Sequence, residues 1–123
     1  MRPWFLASAL AAVALWPGMA GAASPAFNCR YSISTVEHAI CADPVASALD
    51  RELNALFRRV QFAAGPRLAR RLDAEEQAWL ISRDRCGLMP HLDRRFIGCV
   101  RKAYARRISE LRVWLRRLGE PDV

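Results

Sequence analysis

Residues 94–118 read RRFIGCVRKAYARRISELRVWLRRL. Within this stretch Phe96, Val100, Tyr104, Ile108, Leu111, Leu115 and Leu118 recur at steps of three and four. That spacing puts them on one side of an α-helix, because about 3.6 residues make a turn. Gly119 and Pro121 end the run. Arg94, Arg95, Arg101, Lys102, Arg106, Arg112, Arg116 and Arg117 fall on the opposite side. A helix with one apolar stripe needs a partner face, so the rest of the chain has to supply one.

Working outward, the same period appears twice more. Asp43-Pro44 pairs an N-cap residue with a proline suited to the first helical position. Val45, Leu49, Leu53, Leu56 and Val60 then mark an inner face until Gly65-Pro66 stops it. Leu68, Leu72, Trp79 and Leu80 mark a third helix that ends near Cys86-Gly87. Upstream, Ser34-Thr35-Val36-Glu37 has the form of a capping box, and a short helix through Cys41 follows from it. No window alternates with period two. The reading is all-α: a small disulfide-stapled helical bundle of three main helices plus a short N-terminal helix, with the last two main helices antiparallel.

Arg107 breaks the pattern of the last helix, since its helical angle places it inside the apolar sector. A buried guanidinium is costly unless paired. It is either a ligand contact or one half of an internal salt bridge. The salt bridge is favoured because Asp50, Glu76 and Asp84 each sit beside an apolar face or at a helix end.

The N-terminus is of another kind. Met1-Arg2 precedes an apolar run from Trp4 to Trp16 interrupted only by Ser8, and Ala20-Gly21-Ala22 supplies small residues for cleavage. This has the form of a secretory signal peptide over residues 1–22, cut after Ala22 or Ala23, with a single domain over 23–123. The run is shorter than the ~20 residues of a membrane span. The first cysteine, Cys29, lies too far from the cut for a lipoprotein. The expected product is a soluble periplasmic or secreted protein. Cleavage removes Arg2 and no acid, leaving 18 cations against 12 acids, a formal charge of +6.

Export permits disulfides, which small domains use as staples. Four cysteines allow three pairings. Eleven residues separate Cys29 from Cys41 and twelve separate Cys86 from Cys99, which favours those two local bridges. Each is worth roughly 3 kcal/mol in the chain-entropy model. No C-x-x-C pair exists and the two histidines, His38 and His91, lie in different segments, so no metal and no cofactor are expected. There is no G-x-S-x-G elbow, phosphate loop or H-E-x-x-H, and a fully bridged chain has no thiol nucleophile, so the chain does not read as an enzyme.

Two groups of residues together carry a family pattern. Cys29, Val36-Glu37, Ala39-Ile40-Cys41, Asp43-Pro44, Leu49-Asp50 and Leu53 form one half. Gln77, Trp79-Leu80, Arg83-Asp84, Cys86, Cys99, Tyr104, Arg107-Ile108 and Leu111 form the other. The pattern resembles the LprI-type lysozyme-inhibitor family of small exported bacterial proteins, from Cys29 to about Leu118. The resemblance implies a helical domain with two disulfides outside the cytoplasm and, for the family's namesake, inhibition of lysozyme. It places Asp50, Trp79, Arg83, Tyr104 and Arg107 mostly in the scaffold, as core aromatics and paired charges. The chain departs from the namesake in lacking a lipoprotein cysteine, and its middle connection, with Arg67, Arg70 and Arg71, is short and basic.

A lysozyme inhibitor would act most simply by steric occlusion of the glycan cleft, where such enzymes hold two carboxyl groups. The candidate surface is the segment bracketed by Cys86 and Cys99, with Leu88, Met89, Pro90 and His91 as an apolar tip and Arg94 and Arg95 beside it. The plainer alternative is a helix connection whose apolar residues fold back on the core. Animal lysozymes are themselves strongly basic, so a chain of charge +6 suits an acidic or neutral lytic enzyme better. The second functional reading is a cationic envelope-binding module, with the last helix's basic face on anionic lipopolysaccharide, lipid or wall polymer. Nucleic acid is not an expected partner: no recognition motif is present.

Overall fold

A computed structural model describes residues 24–90 and 94–121. The signal segment lies outside them, as do His91 and Asp93, a residue of a type suited to cap the last helix. After a 3-10 turn at Cys29–Tyr31 come three helices: α1 (Thr35–Ala42), α2 (Pro44–Asp84) and α3 (Arg94–Arg117), with a second 3-10 turn, Arg85–Leu88, before α3. No strand occurs among the described residues.

Local chemistry sets the boundaries. The Ser34 hydroxyl accepts from Glu37 N–H at 3.0 Å, and the Glu37 carboxylate accepts from Ser34 N–H at 3.1 Å, which closes the capping box of α1. Asp43 caps α2 by accepting from Ala46 N–H at 2.8 Å, with Pro44 in the first turn. At the end of α3, Gly119 adopts φ 78°, and Glu120 N–H and Gly119 N–H donate to the Leu115 and Arg116 carbonyls. This Schellman closure needs a left-handed residue, which glycine supplies without steric cost.

The 41 residues of α2 are not one rod. Gly65 takes φ 72° and ψ 170°, outside the helical region. In an unbroken helix Gln61 and Asp73 would lie about 18 Å apart, yet the Gln61 amide donates to the Asp73 carboxylate at 3.3 Å. The helix therefore reverses at Gly65-Pro66, and its arms, residues 44–64 and 66–84, run back along each other. α3 lies against both. It runs alongside the first arm, through Arg101 to Asp43 and Tyr104 to Asp50, and against the second, through Tyr104 to Arg83 and Arg107 to Glu76. The result is a three-rod bundle with α1 packed near the Cys86 end.

The core follows the sequence periods closely on α3: Phe96, Val100, Tyr104, Ile108, Leu111 and Leu115 are buried. On the first arm the face is turned. Val45, expected inside, is 49% exposed, and Ala46, Ser47 and Asp50 are buried with Leu53, Leu56 and Val60. The reason is polar: the Ser47 hydroxyl donates to the Ile40 carbonyl at 2.7 Å, and Asp50 is held inside by two donors. The disulfides join Cys29 to Cys41 and Cys86 to Cys99, with Cα–Cα distances of 6.0 and 5.8 Å. One ties the N-terminal arm to α1; the other ties the end of α2 to α3.

Candidate functional site

Two groups of polar residues dominate the molecule, one buried and one open. In the buried group, the Tyr104 hydroxyl donates to Asp50 Oδ1 at 2.8 Å and accepts from Arg83 Nη1 at 3.0 Å. The other Asp50 oxygen accepts from Ala26 N–H at 2.7 Å, which fastens the N-terminal arm across the hairpin. Arg83 also donates to Asp84 at 2.7 Å, and its guanidinium lies 5.7 Å from the centre of the Trp79 ring. Trp79 meets Tyr104 edge-on, with ring centroids 5.1 Å apart, and its indole N–H donates to the Ala103 carbonyl at 3.4 Å. Burial pushes the Tyr104 phenol well above its ordinary range, so it is neutral and able to donate at every ordinary pH.

Arg107 is 5% exposed and donates to Glu76 at 2.9 Å and to Glu110 at 3.1 Å. Burial raises the Glu76 carboxyl above its ordinary 4.5, and the Arg107 charge works against that rise. Arg107 Nη2 has no hydrogen-bond partner within the fold, a cost the packing around it has to offset. These residues join all three rods. A cleft of about 450 Å³ lies over them, and Asp50, Glu76, Trp79 and Arg83 form part of its wall. Apart from Arg107 Nη2, their hydrogen bonds run to one another, to Asp84 and Glu110, and to the backbone of Ala26 and Ala103.

The open group lies beside the second disulfide. Cys86 and Cys99, with Met89, Gly98 and Ala103, line a groove of about 560 Å³, and Arg95, Lys102 and Arg106 stand along it. Arg95, Lys102 and Arg106 share one side of α3 because they are spaced by seven and four residues. Lys102 and Arg106 are exposed. The groove thus offers three cations over an apolar, disulfide-braced floor. An arginine grips a carboxylate through parallel N–H bonds, and the apolar floor suits a hydrophobic contact beside it.

The sequence-derived binding residues divide here. Met89 and Arg95 line the groove. Leu88 is 87% exposed in the turn before it. Arg94 is exposed at the start of α3 but does not line the groove, since neighbours on a helix point about 100° apart. His91 lies outside the described residues. By sequence, Lys102 and Arg106 belong to the whole outer face of α3. Their register with Arg95 and Cys99 is the signal that singles them out.

That outer face is also less uniformly basic than its sequence. Arg101 binds Asp43 at 2.9 Å and Arg112 binds Glu52, so both fasten α3 to α2. The Arg101 hydrogen bond draws the Asp43 carboxyl below its ordinary range. Among the described residues no group of three or more His, Cys, Asp and Glu is placed to hold a metal ion. None of the described helices is long and apolar enough to cross a membrane.

A family model described as "Lysozyme inhibitor LprI" matches residues 28–111, more than half of the chain. No curated protein and no solved structure matches it.

Proposed function

Because the chain belongs to the LprI lysozyme-inhibitor family, we propose that it is an exported, non-enzymatic binding protein that inhibits a lysozyme-type glycosidase by covering its glycan cleft. The observation that carries this reading is the groove at the Cys86–Cys99 bridge, with Arg95, Lys102 and Arg106 along it. A glycosidase cleft presents two catalytic carboxyl groups. The groove's cations complement that pair, and Leu88 and Met89 add apolar contact next to it. The disulfide holds the turn in place before binding, which lowers the entropy lost in the complex.

Export rests on the signal-like N-terminus and fits a chain whose four cysteines are all bridged. The mature protein is then soluble, periplasmic or secreted, and not a lipoprotein. Its charge selects the target: an acidic or neutral lytic enzyme associates faster than a strongly basic one.

The test is inhibition in a lysis assay by the mature protein and its charge reversals. Arg94→Glu with Arg95→Glu, and Lys102→Glu with Arg106→Glu, abolish inhibition while helical circular dichroism is retained. Arg116→Glu with Arg117→Glu changes it little. Inhibition that survives both groove variants refutes the assignment of this surface.

The alternative reading, an envelope-binding face along α3, is weakened by the pairing of Arg101 with Asp43 and of Arg112 with Glu52, which engages two of its cations with acids of the same chain.

A further inference from the structure

The end of the bundle opposite the groove has a different character. Residues 58–71, RRVQFAAGPRLARR, hold five arginines and no acid in fourteen positions. The reversal at Gly65 folds this segment into the tip of the α2 hairpin. Arg58, Arg67, Arg70 and Arg71 are exposed there. Phe62 is 94% exposed, the most exposed of the large apolar side chains among the described residues. It shares a shallow depression with Arg58, Arg59 and one acid, Glu120. Only part of this charge is used internally: Arg71 pairs with Glu75 on its own helix, and Arg59 donates to the Pro121 carbonyl.

A fully exposed phenylalanine contributes nothing to folding, and a cluster of arginines around it repels itself. Both features are satisfied together by one kind of surface, in which anionic phosphates lie over an apolar interior. We propose that the α2 hairpin tip docks on anionic phospholipid bilayers, with Phe62 inserted at the headgroup boundary and Arg58, Arg67 and Arg70 on lipid phosphates. Phe62 and Arg67 lie within a helical turn of the reversal at Gly65, and Arg58 and Arg70 lie one to two turns from it, on long side chains. A nucleic-acid strand is better served by a groove that tracks its backbone. The arms are about 30 Å long. A bundle standing on this tip therefore turns the groove at the Cys86–Cys99 bridge away from the membrane, toward a separate partner. This inference stands independently of the inhibitor reading.

The experiment is co-sedimentation of the mature, oxidised protein with vesicles of pure phosphatidylcholine and with vesicles containing phosphatidylglycerol. The wild-type protein partitions onto the anionic vesicles only, and added salt weakens it. Each arginine near such a surface contributes about a fivefold gain in partition. Arg67→Glu with Arg70→Glu therefore lowers partition by at least about tenfold, and Phe62→Ala lowers it by roughly fivefold through the lost apolar contact. Lys102→Glu with Arg106→Glu stays within about twofold of wild type, since only long-range attraction changes. All five positions changed in these variants are exposed, and circular dichroism checks that each variant is folded. Wild-type partition on the two vesicle types alike, or tip variants that bind as wild type does, overturn the proposal. So does full binding by Phe62→Ala combined with equal losses of the arginine variant on vesicles and on single-stranded DNA, which marks a surface that reads charge alone. The lysis assay separates the two proposals, because Arg67→Glu with Arg70→Glu leaves inhibition intact.

Discussion

Removing one oxygen from the centre of the bundle tests the buried network most cleanly. Tyr104→Phe keeps the ring, its packing and its edge contact with Trp79, and deletes only the hydroxyl. Tyr104 is fully buried, so water does not replace the lost partner without opening the core. The deletion removes one hydrogen bond to the Asp50 carboxylate and one from the Arg83 guanidinium, at 2.8 and 3.0 Å. Hydrogen bonds to charged groups are worth about 1.5–3 kcal/mol each. Asp50 keeps Ala26 N–H and Arg83 keeps Asp84, so the lower half of that range applies. The sum is about 3 kcal/mol. For a domain of about 100 residues that lowers the melting temperature by roughly 10–20 °C. Urea titration followed by circular dichroism, with the disulfides intact, measures it. A loss below about 0.5 kcal/mol, the scale of an ordinary surface change, refutes the claim that Tyr104 bridges the two arms of α2.

The remaining predictions concern neighbouring groups. Arg107→Met leaves the Glu76 carboxylate buried without its main partner and costs about 3–5 kcal/mol near neutral pH, whereas Arg107→Met with Glu76→Leu recovers most of the loss; a urea double-mutant cycle checks both. Trp79→Ala costs about 2–3 kcal/mol, near the low end for aromatic truncation because Trp79 is only half-buried, and its melting curve shifts accordingly. The acid limb of stability depends on Asp43, whose folded pKa lies below its ordinary 3.8. Its contribution is complete above that value and is lost as pH falls through the folded pKa, so Asp43→Asn flattens the urea midpoint below about pH 4. Glu76 has the opposite sign. Its folded pKa lies above 4.5, so its contribution is present below that pH and is lost as pH rises through the folded pKa. Glu76→Gln removes that upper slope in the same titration.

The sequence carries the helices well because their signals are local. The stripe from Phe96 to Leu115, the capping box at Ser34 and Glu37, and Asp43-Pro44 each act within a turn or two. Gly65-Pro66 is legible as a stop because the pair breaks helical backbone, and the two bridges follow from short spacings. Arg107 stands out as a charge in an apolar sector, and its partner Glu76 was among three acids at suitable places. What the sequence does not reveal depends on distance along the chain. Arg101 and Asp43 are 58 residues apart, and Arg112 and Glu52 are 60 apart. Periodicity ranks residues by polarity, so it put Val45 inside and left Ser47 out. The structure reverses this because Ser47 and Asp50 find partners in the core. The groove shows the same limit. The spacing of Arg95, Lys102 and Arg106 in register with Cys99 is legible, but the packing of Met89 and the Cys86–Cys99 bridge that turns that side of α3 into a groove is not.

The central claim is occlusion of a glycan cleft, and competition tests it most directly. Binding of the mature protein to a susceptible lysozyme is titrated calorimetrically, with and without a chitooligosaccharide that fills the enzyme's cleft. Occlusion makes the two ligands exclusive, so the apparent Kd rises in proportion to saccharide occupancy and complex formation vanishes at saturation. A Kd that is unchanged when the cleft is full contradicts the account, even if lysis is still inhibited.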